Sequence, residues 1–132
     1  MSAKSTAEKL LIKPDTALWI SDATHLSLIQ PLPAGVRCVD GPEEAQTALI
    51  FVDAEATLRE FLISFRDVLT RPATIWIAYP KGNRTDINRD TLWPIVAEYG
   101  LRPIGQVAVD DVWSALRFRP LKEGEAPFTG GR

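Results

Sequence analysis

Ala73–Arg89 reads ATIWIAYPKGNRTDINR. Its first half, Ala73 to Tyr79, is a dense apolar run of the length and character of a strand buried on both faces. The run breaks at Pro80-Lys81-Gly82-Asn83-Arg84-Thr85-Asp86, a polar loop with both signs of charge, and a helical pattern follows. A buried strand that delivers the chain to an exposed polar loop and then to a helix is the repeating unit of an open α/β sheet. Such sheets take their ligands on these loops.

The same grammar extends in both directions. Thr16–Ile20 (TALWI), Val36–Val39 (VRCV) and Thr47–Val52 (TALIFV) read as short strands upstream, and Arg102–Val109 (RPIGQVAV) and Val112–Arg119 (VWSALRFR) as strands downstream. Gly105 predicts a bulge or close packing in the first of the downstream pair. Leu58, Phe61, Leu62, Phe65 and Leu69 recur at three and four, which predicts a helix over Ala54–Leu69 with Asp53 as its cap. A second helix is predicted over Thr91–Tyr99, capped by Asp90, with Pro94 in its first turns and Gly100 closing it. Ser21, Asp22 or Thr24 is expected to cap a short helix through Ile29, and Pro31 and Pro33 end it. Right-handed crossovers make the first five strands parallel. The two-residue link Asp110-Asp111 makes the sixth antiparallel. The fold class is therefore α/β, with a mainly parallel sheet and an antiparallel C-terminal hairpin strand.

A chain of 132 residues that is 45% hydrophobic fits one domain. That domain is expected over residues 10–120, with a flexible N-terminus at 1–9 and a flexible tail at 121–132. Seventeen acidic against 15 basic residues give a net charge of -2, an ordinary surface that predicts neither a nucleic-acid nor a membrane partner. The single cysteine, Cys38, sits in an apolar run and reads as a reduced core residue. One cysteine and one histidine argue against structural zinc, and neither a metal nor a cofactor is expected. No hydrophobic stretch is long enough for a secretory signal or a membrane span, so a cytoplasmic protein is expected. Exposed apolar residues on an outer strand or helix would point to a homodimer.

Two groups of residues are candidates for chemistry. In the central loop, Lys81 and Arg84 can bind a phosphate or carboxylate, Gly82 lets the backbone approach, and Asn83, Asp86 and Arg89 lie beside them. The competing reading makes the loop a solvent turn in which Asp86 and Asn88 bond neighbouring amides. In the hairpin, Asp110, Asp111 and Trp113 emerge at the same carboxyl edge of the sheet. There the acids can orient the loop cations, or pair with Arg84 or Arg89 as a structural lock. Asp22 and His25 follow the first strand and form a secondary pair, a base with its orienting acid or a capped first turn. In the last strand, Trp113, Ala115, Arg117 and Arg119 share one face, and the arginines can pair with Glu55, Glu60 or Glu98, line an anion site, or reach solvent at the amino edge of the sheet.

The succession Tyr79-Pro80-Lys81-Gly82, then Asp86-Ile87-Asn88-Arg89-Asp90, then an acidic pair followed by Trp113–Pro120 (WSALRFRP), resembles a small bacterial family of unknown function over roughly Leu10 to Pro120. The resemblance implies a three-layer Rossmann-like sandwich, a shortened class I S-adenosylmethionine-dependent methyltransferase sheet with strand order 2-1-3-4-6-5. Asp40, after the second strand, matches the acidic ribose-binding position of that sheet. Ser21–His25 stands where its glycine-rich loop is expected, and there is no glycine between Ile20 and Gly35. Two functions follow as expectations. The first is a non-catalytic binding or interaction module for a small anionic ligand or a protein partner. The alternative is a diverged S-adenosylmethionine-dependent methyltransferase-like enzyme.

Overall fold

The protein is described by a computed structural model covering residues 5–68, 72–82 and 85–125. Six strands form one sheet: β1 (Ala17–Ile20), β2 (Arg37–Cys38), β3 (Thr47–Phe51), β4 (Thr74–Pro80), β5 (Leu101–Ala108) and β6 (Trp113–Pro120). Their order is β2-β1-β3-β4-β6-β5, the order expected. β1 pairs in parallel with β2 and β3, and β3 with β4, while β6 is antiparallel to both β4 and β5. The register between β5 and β6 shifts at Pro103/Gly105, the irregularity that Gly105 predicted.

Every residue of β3 and β4 is buried, as central strands covered on both faces require. Alternate side chains divide between two cores. Ile75, Ile77 and Tyr79 face one way, with Ile50, Leu116 and Phe118, beneath Leu58, Leu62, Leu92, Ile95 and Val96. The last five belong to two helices, α2 (Glu55–Ser64) and α3 (Arg89–Ala97). Trp76 and Ala78 face the other way, with Leu18, Leu49 and Ala115, beneath Ala7, Leu10 and Ile29. That third layer consists of α1 (Thr6–Lys9) and a 3-10 segment, Ala23–Ile29. Among the described residues, no helix is long and apolar enough to cross a membrane.

Several local expectations are corrected. The folded body starts before Leu10. Ser5 and Glu8 form a reciprocal capping box on α1, Ala7 and Leu10 are fully buried, and Trp76 Nε1 donates to the Leu10 carbonyl at 2.7 Å. It also continues past Pro120, because the Leu121 amide bonds the Gly100 carbonyl at 2.9 Å. Cys38 is exposed, since β2 is a two-residue edge strand with neither residue buried. α2 ends at Ser64, five residues before the predicted Leu69, which lies outside the described residues. Its N-cap, Ala54, makes no side-chain bond, and Asp53 does not cap the helix. Asp86 does so from the far loop, its Oδ1 accepting from the Glu55 amide at 2.9 Å. Asn88, not Asp90, caps α3. Its Oδ1 accepts from the amides of Asp90 and Thr91, and Thr91 Oγ1 accepts in return from the Asn88 amide. Pro94 consequently lies inside the helix. Glu55 and Glu98 are engaged by Arg59, at 2.9 and 3.4 Å, and not by the arginines of β6.

The β5–β6 hairpin is closed by Asp110. Its Oδ1 accepts from the amides of Val112 (2.8 Å) and Trp113 (2.7 Å). Asp111 is exposed and makes no hydrogen bond or ion pair among the described residues. Asp110→Ala should therefore cost about 1 kcal/mol, the ordinary value of a turn-closing bond, while Asp111→Ala should stay within about 0.5 kcal/mol of wild type. Urea unfolding of the two variants measures the difference.

At the opposite edge, Glu125 clasps Arg119 through two bonds of 2.7 and 2.8 Å, approaches Arg102 at 3.3 Å, and accepts from the Lys122 amide. The Arg119 hydrogen bonds, then that from Lys122, hold its carboxyl down to about 2 from the ordinary 4.5. A carboxyl lowered in the folded state stabilises that state above its unfolded pKa and loses the contribution as pH falls through the folded one. Docking of Leu121–Glu125 should thus persist at pH 4 and fade toward pH 2. Glu125→Gln should remove that acid dependence, read from the Lys122 amide resonance across the titration.

Candidate functional site

β1, β3, β4 and β5 run parallel, so their carboxyl ends share one edge. From β1 the chain crosses to β2 on one side, and from β3 it proceeds to β4 on the other. The gap between β1 and β3 is therefore the switch point of the sheet, where open α/β folds bind ligands. A cleft of about 410 Å³ lies there. Ser21, Asp22 and His25 line it from the β1 exit, Phe51 and Asp53 from the β3 exit, Thr57 and Phe61 from α2, and Trp113 from the start of β6.

Three rings from three segments meet in this cleft. His25 lies 4.5 Å from Phe51 and 5.1 Å from Trp113, centre to centre, and Phe51 lies 5.0 Å from Trp113. The exit of β1 is fixed by backbone bonds. The Ser21 amide donates to the Leu49 carbonyl at 3.0 Å, and Ser21 Oγ accepts from the Phe51 amide at 2.8 Å. Asp22 caps the 3-10 segment, accepting from the Thr24 hydroxyl (2.6 Å) and amide (3.0 Å). Those two bonds lower its pKa, and proximity to His25 adds in the same direction. Its other oxygen lies 3.4 Å from His25 Nε2. Among the described residues the lining thus combines aromatic faces with two carboxylates and contains no lysine or arginine.

A second cavity, of about 570 Å³, opens over the ends of β4, β6 and β5. Lys81 and Gly82 line it, together with Tyr79, Gln106, Ser114 and the first turn of α3. The central loop does meet the hairpin, because the Lys81 amide donates to the Val112 carbonyl at 2.8 Å. The side chains nevertheless part company. Lys81 and Gly82 belong to this second cavity, while Trp113 belongs to the β1/β3 cleft with Asp22 and His25.

The remaining candidates are placed as follows. Asp110 is engaged by the amides of its own turn, Asp111 is exposed, and Asp86 caps α2. Asp40 is exposed beyond β2 and lines neither cavity. Asn83, Arg84 and the side chain of Arg89 lie outside the described residues. Lys81 and Trp113, expected in one site, thus line different cavities. Among the described residues, no three His, Cys, Asp or Glu side chains gather as a metal-ligand group.

Sequence reasoning missed Phe51, Asp53, Thr57 and Phe61 in the first cavity, and Tyr79, Gln106 and Ser114 in the second. One signal was at hand for Phe51 and Asp53, which end a parallel strand at the edge where ligands bind. For Asp53 the sequence equally suggests a helix cap, which hides that signal.

No protein-family model matches the sequence, and neither does any curated protein, so the likeness to the small bacterial family stays a resemblance. Solved structures do match. A protein of the NADB-Rossmann superfamily from Streptococcus agalactiae superposes with a TM-score of 0.60 at 10% identity, covering 98% of this chain and 72% of that one. Sp1610 of Streptococcus pneumoniae, a candidate tRNA (m1A22) methyltransferase, matches with a TM-score of 0.58 at 9% identity over 93% of this chain and 70% of its own. Its complex with S-adenosyl-L-methionine matches with a TM-score of 0.56 at 8% identity, over 93% and 72%. At such identities the likeness is one of architecture: the chain has a Rossmann-like fold of the kind found in methyltransferase-like proteins.

Proposed function

We propose that this chain is a non-catalytic binding module that receives a small planar ligand, uncharged or cationic, in the cleft between β1 and β3. The observation that carries this reading is the meeting of His25, Phe51 and Trp113 within 4.5 to 5.1 Å of one another, bordered by Asp22 and Asp53. Aromatic faces hold a flat ring by stacking and a cation by their quadrupole. Two carboxylates favour a donor or a positive charge and repel an anion, which moves the anionic ligand expected from the loop away from this cleft.

A second reading, a diverged S-adenosylmethionine-dependent transferase, draws on the architecture shared with the S-adenosyl-L-methionine-bound neighbour. The aromatic and acidic lining suits the adenine and the sulfonium of that cofactor. Its amino-acid carboxylate is not provided for. Among the described residues the cleft has no lysine or arginine, the Ser21 amide is spent on the Leu49 carbonyl, and the Thr24 amide is spent on Asp22. The described residues therefore do not fit the whole cofactor, and no transfer step follows from them.

Calorimetric titration with adenosine, S-adenosylmethionine and S-adenosylhomocysteine separates the two. The module reading expects saturable adenosine binding, at least as tight as that of the two amino-acid-bearing ligands. Trp113→Ala should weaken it about tenfold, the scale of one lost stacking partner. Tighter binding of S-adenosylmethionine than of adenosine would favour the transferase. Silence from all three at millimolar concentration would remove both.

A further inference from the structure

The cavity beside Lys81 has a donor arrangement that the β1/β3 cleft lacks. Its floor is built from Tyr79 and Ser114, 4% and 5% exposed, which sit opposite one another across β4 and β6. Gln106 of β5 spans them, its Nε2 lying 3.0 Å from the Tyr79 hydroxyl and 3.2 Å from Ser114 Oγ. The protons of this group can be assigned. Ser114 gives its one hydroxyl hydrogen to the Val107 carbonyl at 3.2 Å, so its bond with Gln106 must be donated by the amide. That fixes the orientation of the amide group, and its second hydrogen goes to Tyr79. The Tyr79 oxygen is thereby an acceptor, and its own hydroxyl hydrogen has no acceptor among the described residues. The Gln106 Oε1 has no donor there either. Lys81, half-buried on the rim, has no carboxylate partner within 4 Å among the described residues. Gly82 beside it turns at φ +75° with open space around it.

The geometry points to a second binding seat, in which the Lys81 ammonium and the Tyr79 hydroxyl hold a carboxylate while Gln106 Oε1 accepts from a hydroxyl of the same molecule. Two donors, one of them cationic, converge on an oxyanion, and the leftover acceptor selects a ligand with its own hydrogen to give. Asp90 lines the same cavity, so a singly charged carboxylate is favoured over a phosphate dianion. Ala108, opposite Ser114 on the cavity's face of the sheet, leaves room for a short carbon skeleton. The ligand class is a small hydroxycarboxylate. This seat is separate from the cleft of the proposed module, and neither requires the other.

Titration of the ¹⁵N-labelled full-length chain with lactate, propionate and inorganic phosphate, at constant ionic strength, tests it. Lactate should shift the Gly82, Val107 and Ser114 amides along saturating curves and leave Ser21 and His25 in place. Propionate, lacking the hydroxyl, should bind severalfold more weakly. Lys81→Gln should weaken lactate about tenfold or more and Tyr79→Phe about threefold, as loss of a charged and a neutral hydrogen bond predicts. Lys81→Gln should retain the wild-type thermal midpoint, and Tyr79→Phe, which also loses the bond from Gln106, should lower it by only a few degrees. Non-saturating lactate shifts, equal lactate binding by Lys81→Gln, or tighter binding of phosphate than of lactate would each overturn the assignment.

Discussion

The pairing of β4 with β6 runs from Ile75 opposite Phe118 to Pro80 opposite Trp113, and both cavities depend on that register. β4 is buried along its whole length, with β3 parallel on one side and β6 antiparallel on the other. Because side chains alternate, a one-residue slip of β6 would move Phe118 and Leu116 out of the α2/α3 core and bring Arg117 into it. Burial therefore enforces the register. The register in turn sets Ser114 beneath the second cavity and places Trp113 with the rings of the first. The sites are by-products of a constraint that the core imposes.

The carboxyl edge is rich in polar side chains, and most of them are committed to backbone amides. Asp22 holds the 3-10 segment, Asp86 the start of α2, Asn88 the start of α3, and Asp110 the hairpin. Short acids and amides do this because chain ends leave donors without partners, and burial nearby makes such donors costly. The same edge thus serves two ends. Its capped loops form rigid rims, and the few groups left uncommitted can face a ligand.

Much of the fold was legible because it is written in local pattern. The apolar run of β4, the three-and-four spacing of Leu58 and Leu62, and the tight Asp110-Asp111 link each name an element without reference to the rest. The cap of α2 was not legible, since Asp86 lies 31 residues from the amide it holds. Neither was the burial of Ala7 and Leu10, which comes from the underside of the sheet and from the Trp76 indole. The site was readable as an edge but not as two cavities. Which side of the sheet Trp113 joins, and that His25 meets it, depends on crossovers that bring three distant segments together. Cys38 misled for a related reason: an apolar neighbourhood in sequence became a two-residue strand at the rim.

That rim has a consequence for how copies of the chain can associate. At one border of the sheet β2 offers only Arg37 and Cys38. At the other, β5 carries Pro103, which has no amide hydrogen to offer, and an irregular step at Gly105. Borders this short or this bent are poor templates for a further strand. A sheet so terminated resists lengthening itself across molecules through its described border strands.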